Sequence, residues 1–515
     1  MRLLTTVAGL RSYLASQPSS QTVGLVPTMG ALHEGHISLI SRAVAEAEQV
    51  VVSIFVNPLQ FAPHEDLAQY PRQLDKDCQL CQKLGVNVVF APTPEEIGIQ
   101  QDPKIATQVI PPPLMMTQLC GPYRPGHFQG VTTIVAKLFN IVSPQVAYFG
   151  EKDAQQLAII RRLIVDLNLP IIIKGCSTVR EASGLALSSR NQYLSDEERH
   201  QASAIYLSLK AAEQLFEEGE RQAQILIETV KGNLALVPGV NLQYINCVDP
   251  KTLTPLIKIE EAGLLAIAAY VGSTRLIDNV ILRVREPIIA IDGPAGAGKS
   301  TVTRLVADAL NLTYLDTGAM YRAIAWLVLQ SDVDVQDETA IAELVSQATL
   351  EFIPPSDHHS LEISINGENV TQKIRTPEVT ALVSPISAQA AVRQKLVNYQ
   401  QEIGKRGGVV AEGRDIGTNV FPDAEVKIFL TASVKERARR RALDFQAQGQ
   451  KDIDFEALEQ DIQQRDDQDS HRTIAPLRQA TDAMQIDTDG LTIQEVTDKI
   501  IQVCSEKMDT LRRLN

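Results

Sequence analysis

Short apolar runs recur along the first 180 residues, and each is followed by a stretch whose apolar residues have helical spacing. The runs predict strands at 22–26, 50–55, 86–90, 146–149 and 171–174. Helices are predicted between them, near 37–48, 72–84, 129–142 and 154–167. This alternation is typical of a parallel, doubly wound α/β sheet.

The pattern then changes. A helix is predicted at 196–218, and apolar runs predict strands at 242–248 and 264–269, which together suggest a small α+β subdomain. The longest apolar run, 262–271, suits a buried core element and is too short to span a bilayer.

After residue 285 the strand–helix rhythm starts again. Strands are predicted at 287–292, 409–411, 426–430 and 484–486, with a helix at 301–310. Residues 361–370 alternate apolar and polar side chains around an Asn-Gly pair, a strong hairpin signal. We therefore expect an α/β domain with an antiparallel insert. The predicted boundaries are 1–195, 196–282 and 285–515, with the insert at about 332–395 and a lid at about 435–475.

Composition narrows the functional classes. The formal net charge of −14 argues against a general binder of nucleic acid or of anionic membranes. Six cysteines are too few for a disulfide framework, and the N-terminus lacks a signal-peptide pattern, so we expect a cytoplasmic protein. Cys78 and Cys81 have a metal-like spacing, but no second pair completes a zinc site, and we expect them to be structural.

The second α/β domain opens with a nucleotide-binding motif. Residues 293–300 read Gly-Pro-Ala-Gly-Ala-Gly-Lys-Ser, between a predicted strand and a predicted helix. Glycines at this spacing let backbone N–H groups surround phosphates, while Lys299 reaches the terminal phosphates and the Ser300 hydroxyl holds Mg²⁺. The predicted ATP site comprises Gly293, Pro294, Ala295, Gly296, Ala297, Gly298, Lys299, Ser300 and Thr301.

The first domain carries a different phosphate motif. His33-Glu-Gly-His36 stands where the first strand leads into a helix, so two imidazoles can contact a polyphosphate at a helix N-terminus. The pattern resembles the signature of class I tRNA synthetases and related nucleotidylyltransferases. Two merely structural capping histidines are the alternative.

Further motifs follow in order: Phe55-Val-Asn-Pro-Leu-Gln60, Arg124-Pro-Gly-His-Phe, Phe149-Gly-Glu-Lys-Asp-Ala-Gln-Gln156 and Gly184-Leu-Ala-Leu-Ser-Ser-Arg190. Together, residues 1–282 resemble pantothenate synthetase, the pantoate–β-alanine ligase family. The resemblance implies a Rossmann-like nucleotidylyltransferase fold. It also implies two steps, in which ATP adenylates the pantoate carboxylate and the β-alanine amine then displaces AMP.

The resemblance also implies site residues. His36 is the family's proton donor, and His33 and Lys152 are further catalytic groups. Gln60 and Gln156 hold pantoate, with Gln60 also touching β-alanine, and Asp153 lies near Mg²⁺. The implied ATP site comprises Met29, Gly30, Ala31, Leu32, His33, Glu34, Gly35, His36, Gly150, Glu151, Lys152, Asp153, Val179, Leu187, Ser188, Ser189 and Arg190. Two departures from the family, Ala154 and the sequence 120–123, are expected to affect packing rather than chemistry.

The second α/β domain also carries several motifs that together indicate one family. Leu315-Asp-Thr-Gly-Ala-Met-Tyr-Arg322, Glu412-Gly-Arg-Asp415 and Arg465-Asp-Asp-Gln-Asp-Ser-His-Arg472 follow the P-loop, and with the hairpin insert they resemble bacterial-type cytidylate kinase over 285–515. The resemblance implies ATP-dependent phosphorylation of CMP and dCMP, with Lys299 stabilising the transferring phosphoryl group. The implied monophosphate contacts are Thr317, Arg322, Ser384, Arg393, Arg414, Asp415, Arg465, Asp469 and Arg472.

Two alternatives remain at this point. One is a general adenylyltransferase fused to another monophosphate kinase; the other is an ATP-sensing regulatory protein with inactive sites. The expected partners are ATP, pantoate, β-alanine and CMP or dCMP, with Mg²⁺ as cofactor, no nucleic acid and no membrane, and a possible homodimer through the ligase domain.

Overall fold

The computed structural model describes residues 1–61, 67–68, 70–99, 106–353, 362–447, 454–472 and 475–513. The chain divides into two compact units, Met1–Val284 and Arg285–Asn515. Among the residues described, no helix combines the length and the apolar character needed to cross a bilayer.

A six-stranded parallel sheet forms the centre of the first unit. Its strands are β1 (Arg2–Leu4), β2 (Val23–Thr28), β3 (Gln49–Ile54), β4 (Val88–Phe90), β5 (Val146–Gly150) and β6 (Ile172–Cys176), in the order β1-β4-β3-β2-β5-β6. The associated helices are α1 (Val7–Ala15), α2 (Glu34–Glu46), α3 (Leu74–Lys83), α4 (Pro113–Met116), α5 (His127–Val142) and α6 (Ala154–Asp166). The five predicted strands are present, and β1 is an additional strand.

The strand order fixes where a ligand can bind. β2 pairs with β3 on one side and with β5 on the other. The chain therefore leaves β2 in one direction and returns on its other side, which makes a topological switch point. Ligands of doubly wound sheets bind beyond the carboxyl ends of the strands at such a point. The turns that begin at Thr28 and at Gly150 meet there.

The remainder of the first unit is a small α+β subdomain. It contains α7 (Asp196–Glu217), α8 (Ala223–Ala235) and a three-stranded antiparallel sheet of β7 (Val240–Val248), β8 (Ala262–Val271) and β9 (Thr274–Arg283). β8 is buried over most of its length, as the middle strand of the sheet. The sequence pattern predicted β7 and β8 but missed β9.

The second unit contains a five-stranded parallel sheet, whose strands are β10 (Ile288–Asp292), β11 (Thr313–Asp316), β15 (Val409–Gly413), β16 (Val426–Thr431) and β17 (Met484–Asp487), in the order β11-β15-β10-β16-β17. Every residue of β10 is buried. The helices are α9 (Lys299–Leu310), α10 (Thr317–Leu329), α11 (Glu338–Gln347), α12 (Pro377–Ser387), α13 (Ala390–Ile403), α14 (Val434–Ala447), α15 (Phe455–His471) and α16 (Ile493–Arg513).

The expected antiparallel insert is present. β12 (Leu350–Ile353), β13 (Glu362–Ile365) and β14 (Glu368–Asn369) form a separate antiparallel sheet, with Asn366 and Gly367 at positive φ in the turn. Residue 361, the first of the predicted hairpin, lies outside the described residues. The overall fold class expected from the sequence is confirmed.

Candidate functional sites

The first unit has a cavity of about 290 Å³ at the carboxyl ends of β2 and β5. It brings together residues from sequence motifs that lie far apart along the chain. The predicted site residues that line it are Met29, His33, Gly35, His36, Gln60, Gly150, Lys152, Asp153, Gln156, Val179, Leu187, Ser188, Ser189 and Arg190.

Some predicted residues do not line this cavity, namely Gly30, Ala31, Leu32, Glu34 and Glu151. The backbone amides of Ala31 and Leu32 each donate to a carboxylate oxygen of the buried Asp77, at 2.9 Å. This contact directs the turn before α2 towards α3. Asp77 is a positioning residue that the sequence pattern did not reveal, because its partners are distant along the chain.

His33 and His36 cap the start of α2 reciprocally. The Gly35 amide donates to His33 Nδ1 at 3.1 Å, and the His33 amide donates to His36 Nδ1 at 3.4 Å. Because a backbone N–H can only donate, each Nδ1 is an acceptor, and the proton of the neutral ring lies on Nε2. The two Nε2–H groups therefore remain available as donors to a ligand.

Both imidazoles are neutral at physiological pH. Burial lowers the pKa of His33 to about 4, with a further contribution from Lys152. Burial also lowers the pKa of His36 to about 3, helped by His33 and Lys152. The helix N-terminus acts in the same direction, because its partial positive charge disfavours a second cation.

Gln60, which also lines the cavity, is held by a polar network. The buried Asn57 donates to Gln60 Oε1 at 3.0 Å, and Arg124 and His127 contact the Gln60 carbonyl oxygen at 3.2 and 2.8 Å. Arg124 and His127 belong to a motif noted in the sequence, but no role was predicted for them or for Asn57. This network fixes the Gln60 side chain through its oxygen Oε1, and the contact with Asn57 does not use the Gln60 amide nitrogen.

Gln155 and Gln156 have different surroundings although they are adjacent. The Gln155 side chain is buried and accepts from the Cys120 amide at 2.9 Å, and it donates to the carbonyls of Met115 and Gln118. Gln155 therefore has a structural role. Gln156, by contrast, lines the cavity.

The small subdomain closes one wall of the cavity with β9. Asn279 donates to the carbonyl oxygens of Glu151 and Lys152 at 3.0 and 2.9 Å. Asp278 forms a two-pronged ion pair with Arg180 at 2.6 and 2.9 Å, which ties β9 to the segment before Ser188. No residue of β9 was predicted, because the strand itself was missed.

The P-loop of the second unit has the predicted backbone. Gly293, Gly296 and Gly298 have positive φ, and α9 begins at Lys299. The Lys299 ammonium donates to the carbonyls of Gly293 and Pro294 at 2.8 and 2.7 Å. Burial, and then the charge of Arg414, lower its pKa. Ser300 Oγ donates to Glu412 Oε2 at 2.9 Å.

The predicted monophosphate contacts converge beside the P-loop, mostly as ion pairs. Arg393 and Asp415 are 2.6 Å apart and both buried, and Arg414 and Asp469 are 2.8 Å apart. Further contacts are Arg322 with Asp316 at 2.8 Å, Arg472 with Asp415 at 3.3 Å and with Asp469 at 3.7 Å, Thr317 Oγ1 with the Glu412 carbonyl at 2.6 Å, and Ser384 Oγ with Gln468 Oε1 at 3.5 Å. The pKa of Arg465 is lowered by burial and by Arg414.

Asp292, at the end of β10, is a further positioning residue. Its carboxylate is buried and accepts from the amides of Ile416 and Gly417 at 2.8 and 2.7 Å. Burial raises its pKa to about 6. The residue links the P-loop strand to the segment immediately after Arg414 and Asp415, and the sequence pattern placed it only in a strand.

Residues 437–441 of α14 contain four arginines. The first of them, Arg437, is buried and binds Asp466 at 2.5 Å and the Ala295 carbonyl of the P-loop at 3.1 Å. Cys78 and Cys81 are free thiols on α3, and no group of three or more metal-binding side chains occurs within the described ranges.

Comparison with known proteins finds a family for each half of the chain. Residues 2–281 match the family model described as pantoate-beta-alanine ligase, and residues 289–506 match the model described as cytidylate kinase. Proteins described as bifunctional pantoate ligase/cytidylate kinase are 57% identical in Nostoc sp. PCC 7120, covering 99% of both chains, and 58% identical in Synechocystis sp. PCC 6803, covering 98% of both. The pantothenate synthetase structure from Thermus thermophilus is 45% identical with a TM-score of 0.51, covering 54% of this chain and 99% of that one.

Proposed function

Because the chain belongs to the bifunctional pantoate ligase/cytidylate kinase family, we propose which of its residues perform each reaction. The protein is an enzyme with pantoate–β-alanine ligase and cytidylate kinase activities. These activities replace the two alternatives of a general adenylyltransferase with another kinase and of a regulatory ATP sensor. We assign the ligase to 1–282, with its subdomain at 196–282, and the kinase to 285–515.

In the ligase, His33, His36, Lys152 and the Ser188–Arg190 segment bind the phosphates of ATP while the pantoate carboxylate attacks the α-phosphorus and pyrophosphate leaves. Negative charge grows on the phosphates in this step, and donors that are already oriented stabilise it. The two Nε2–H groups are such donors. His36 acts first as a neutral hydrogen-bond donor, since its pKa of about 3 leaves no imidazolium at neutral pH.

Gln60 and Gln156 hold pantoate next to this site. Amide groups can bind hydroxyl and carboxylate groups without competing as nucleophiles. In the second step the β-alanine amine attacks the activated carbonyl and AMP leaves with the bonding electron pair. Asn57 supports this role by fixing the Gln60 side chain.

Mg²⁺ fits the residues at both sites as a companion of ATP. Ser300 Oγ lies beside a carboxylate of Glu412 at 2.9 Å, and the exposed carboxylate of Asp153 is next to Lys152. Each site offers one or two hard oxygen ligands, which suits an ion that takes its other ligands from phosphates and water. The ion supplies neutralisation of phosphate charge.

In the kinase, the P-loop amides hold ATP, and Lys299 exchanges its loop carbonyls for the transferring phosphoryl group. The arginines predicted to contact the monophosphate bind the CMP phosphate. Asp415 and Asp469 accept hydrogen bonds from the sugar or the base. Phosphoryl transfer depends mainly on this positioning and charge neutralisation.

Acceptor preference tests the finer assignment. We expect CMP and dCMP to be phosphorylated much faster than AMP or GMP, because buried polar groups reject a base that leaves them unpaired. Asp469→Ala should reduce CMP turnover and leave ATP binding nearly intact. Equal kcat/KM for AMP and CMP would contradict this preference.

The observation that carries the ligase assignment is the convergence of His33, His36, Lys152, Gln60 and Gln156 on one cavity. The corresponding test is pyrophosphate release from the full chain. It should require both ATP and pantoate, should not require β-alanine for a single turnover, and should be followed by AMP and pantothenate when β-alanine is added. Release without pantoate would contradict the assignment.

We also propose a cytoplasmic location and a homodimer through the ligase unit. The free cysteines support a reducing compartment. The dimer is supported by exposed apolar side chains near the β6 edge of the sheet, namely Val165, Leu167 and Ile172. Sedimentation of the full chain, with Val165→Asp as the disrupting variant, tests it.

A further inference from the structure

Arg275 is a cavity-lining residue of the ligase unit with no role in the reaction described above. It lies near the start of β9, and it shares a strand face with Asn279, which binds the Glu151 and Lys152 carbonyls. Four residues along a strand span about 13 Å. Arg275 therefore stands at the end of this wall that is remote from the phosphate-binding turn.

The partners of Arg275 are all neutral groups. Its Nε donates to Gln243 Oε1 at 2.8 Å, and Nη2 donates to Cys120 Sγ at 3.4 Å. Cys120 Sγ in turn contacts the Tyr244 hydroxyl at 3.1 Å. Arg275 makes no ion pair with any carboxylate of the described residues. Arg180 differs, because Asp278, on the same strand as Arg275, neutralises it.

This arrangement leaves a partly buried positive charge at the cavity wall. Such a charge is costly without a counter-charge. A guanidinium has five N–H donors. The contacts with Gln243 and Cys120 and a hydrogen bond to the Tyr244 side chain use only part of them. The remaining donors suit a two-pronged contact with a carboxylate. We propose that Arg275 binds the carboxylate of β-alanine and thereby selects an amine that carries an acid group.

Two substrates of the reaction carry a carboxylate, and the geometry favours the amine substrate. The pantoate carboxylate must meet the α-phosphate, so it belongs near Lys152, and it loses its charge when the adenylate forms. The β-alanine carboxylate points away from the attacking amine and keeps its charge throughout the reaction. A fixed cation remote from the phosphate-binding turn therefore matches β-alanine.

The surrounding residues support a binding role. Cys120 is held from the other side, since its amide donates to the buried Gln155, the neighbour of Gln156. Arg275 is thus attached to the same segment that positions the proposed pantoate contact. The inference rests on the ligase reaction proposed above, and it adds a contact for the second substrate only.

The test uses Arg275→Gln and Arg275→Lys in the full chain, with Arg162→Gln as the control. Arg162 has an exposed side chain on α6 and pairs with Asp166. We expect Arg275→Gln to raise the KM for β-alanine by about 10–100-fold, the range for losing a charged hydrogen bond. Arg275→Lys should restore part of the loss. Arg162→Gln should behave as the unchanged protein.

A second readout separates binding from general disruption. The preference for β-alanine over 3-amino-1-propanol, which lacks the acid, should shrink in Arg275→Gln. Single-turnover pyrophosphate release with ATP and pantoate should retain its pantoate KM, because those contacts lie elsewhere.

Other outcomes overturn the inference. A raised KM for pantoate in the first step would mean that Arg275 anchors pantoate instead. An unchanged KM for β-alanine, or loss of pyrophosphate release in both Arg275 variants, would leave Arg275 a structural residue. Failure of the unchanged protein to release pyrophosphate would count against the proposed ligase reaction itself, before Arg275 is tested.

Discussion

The ligase and kinase units both handle ATP phosphates, but they prepare their donors differently. In the ligase, His33 and His36 are neutral and their rings are fixed by backbone amides. In the kinase, most of the donors around the acceptor site are charged and are already paired with carboxylates of the protein, as in Arg393–Asp415 and Arg414–Asp469.

This difference determines which protein contacts each substrate must replace when it binds. A ligand of the ligase finds Nε2–H groups that need no release from another partner. A ligand of the kinase must exchange protein contacts for its own, because even Lys299 is bonded to two carbonyls of its own loop. Binding at the kinase site is therefore an exchange of partners, and its net free energy is smaller than the new contacts alone suggest.

The two units also share one device. Asp77 and Asp292 are buried carboxylates, and each accepts hydrogen bonds from two consecutive backbone amides. In each unit the amides belong to a segment that carries site residues. The predictions below test the contrast between the units and then this shared device.

The largest effect is expected for Lys299→Ala. Removing the P-loop ammonium should lower kcat for CMP phosphorylation by up to about 10³-fold, because a preorganised charge at the phosphoryl group is lost. Pantothenate synthesis should be unchanged in the same sample. Lys405→Ala, on an exposed lysine that pairs with Glu402, is the control. Equal loss of both activities would mean that the units are not independent.

His36→Ala should produce the reciprocal result. Adenylate formation, followed as pyrophosphate release, should slow by about 10²-fold through loss of one oriented donor. CMP phosphorylation should not change. The control is His200→Ala, since His200 is exposed on α7. If pyrophosphate release persisted at its normal rate, His36 would be only a helix cap.

The shared device should give intermediate effects. Asp77→Asn and Asp292→Asn each replace a charged acceptor of two amides, and we expect about a tenfold loss in kcat/KM for the affected reaction only. Asp77→Asn should affect the ligase, and Asp292→Asn should raise the KM for CMP. Asp75→Asn on the exposed side of α3 is the matched control. A loss confined to thermal stability would show that these carboxylates hold the fold without positioning the sites.

The pH dependence of stability should have opposite signs at the two sites. Below about pH 6.5 an unfolded His36 binds a proton that the folded residue, with a pKa of about 3, does not bind, so its contribution to stability falls as the pH drops from about 6.5 to 3. The folded Asp292, with a pKa of about 6, binds a proton that the unfolded carboxyl lacks, so its contribution rises as pH falls from about 6 to 4.

Each effect should be on the order of 1 kcal/mol between about pH 7 and 5. Urea unfolding at the two pH values measures it, with Trp326, the single tryptophan, reporting on the kinase unit. His36→Gln and Asp292→Asn should each remove their own slope. Identical slopes in variant and unchanged protein would contradict the assigned pKa values.

Separating the units should have the smallest effect. Residues 1–284 and 285–515 form separate compact units. Each fragment should be soluble and retain its kcat within about twofold, because each site draws its residues from one core. An inactive kinase fragment would show that the ligase unit supports it.

The strand–helix rhythm predicted most of the fold, because strands buried on both faces read as continuous apolar runs. β1 was missed since three residues are too few to form a pattern. β9 was missed because its apolar residues form two short runs, 276–277 and 280–282, separated by Asp278 and Asn279. Missing β9 also hid Arg275 and the Arg180–Asp278 pair.

The motifs predicted the side chains that converge on the two sites, since phosphate chemistry requires characteristic residues at short spacing. They did not predict Asp77 or Asp292. Each is one acidic residue in an ordinary helix or strand, and its role depends on amides that are distant along the chain. Such contacts exist only after the sheet has formed.

The junction between the units has a consequence for cell physiology. Only four residues separate β9 from β10. Both active sites lie on one chain, and they are therefore made in one translation event. Their copy numbers are therefore locked at one to one, and so are their rates of synthesis and degradation. Expression of this gene therefore changes the capacities for pantothenate synthesis and for CMP phosphorylation together. The ratio of the two rates then depends on the kinetic constants of each site and on the concentrations of their substrates.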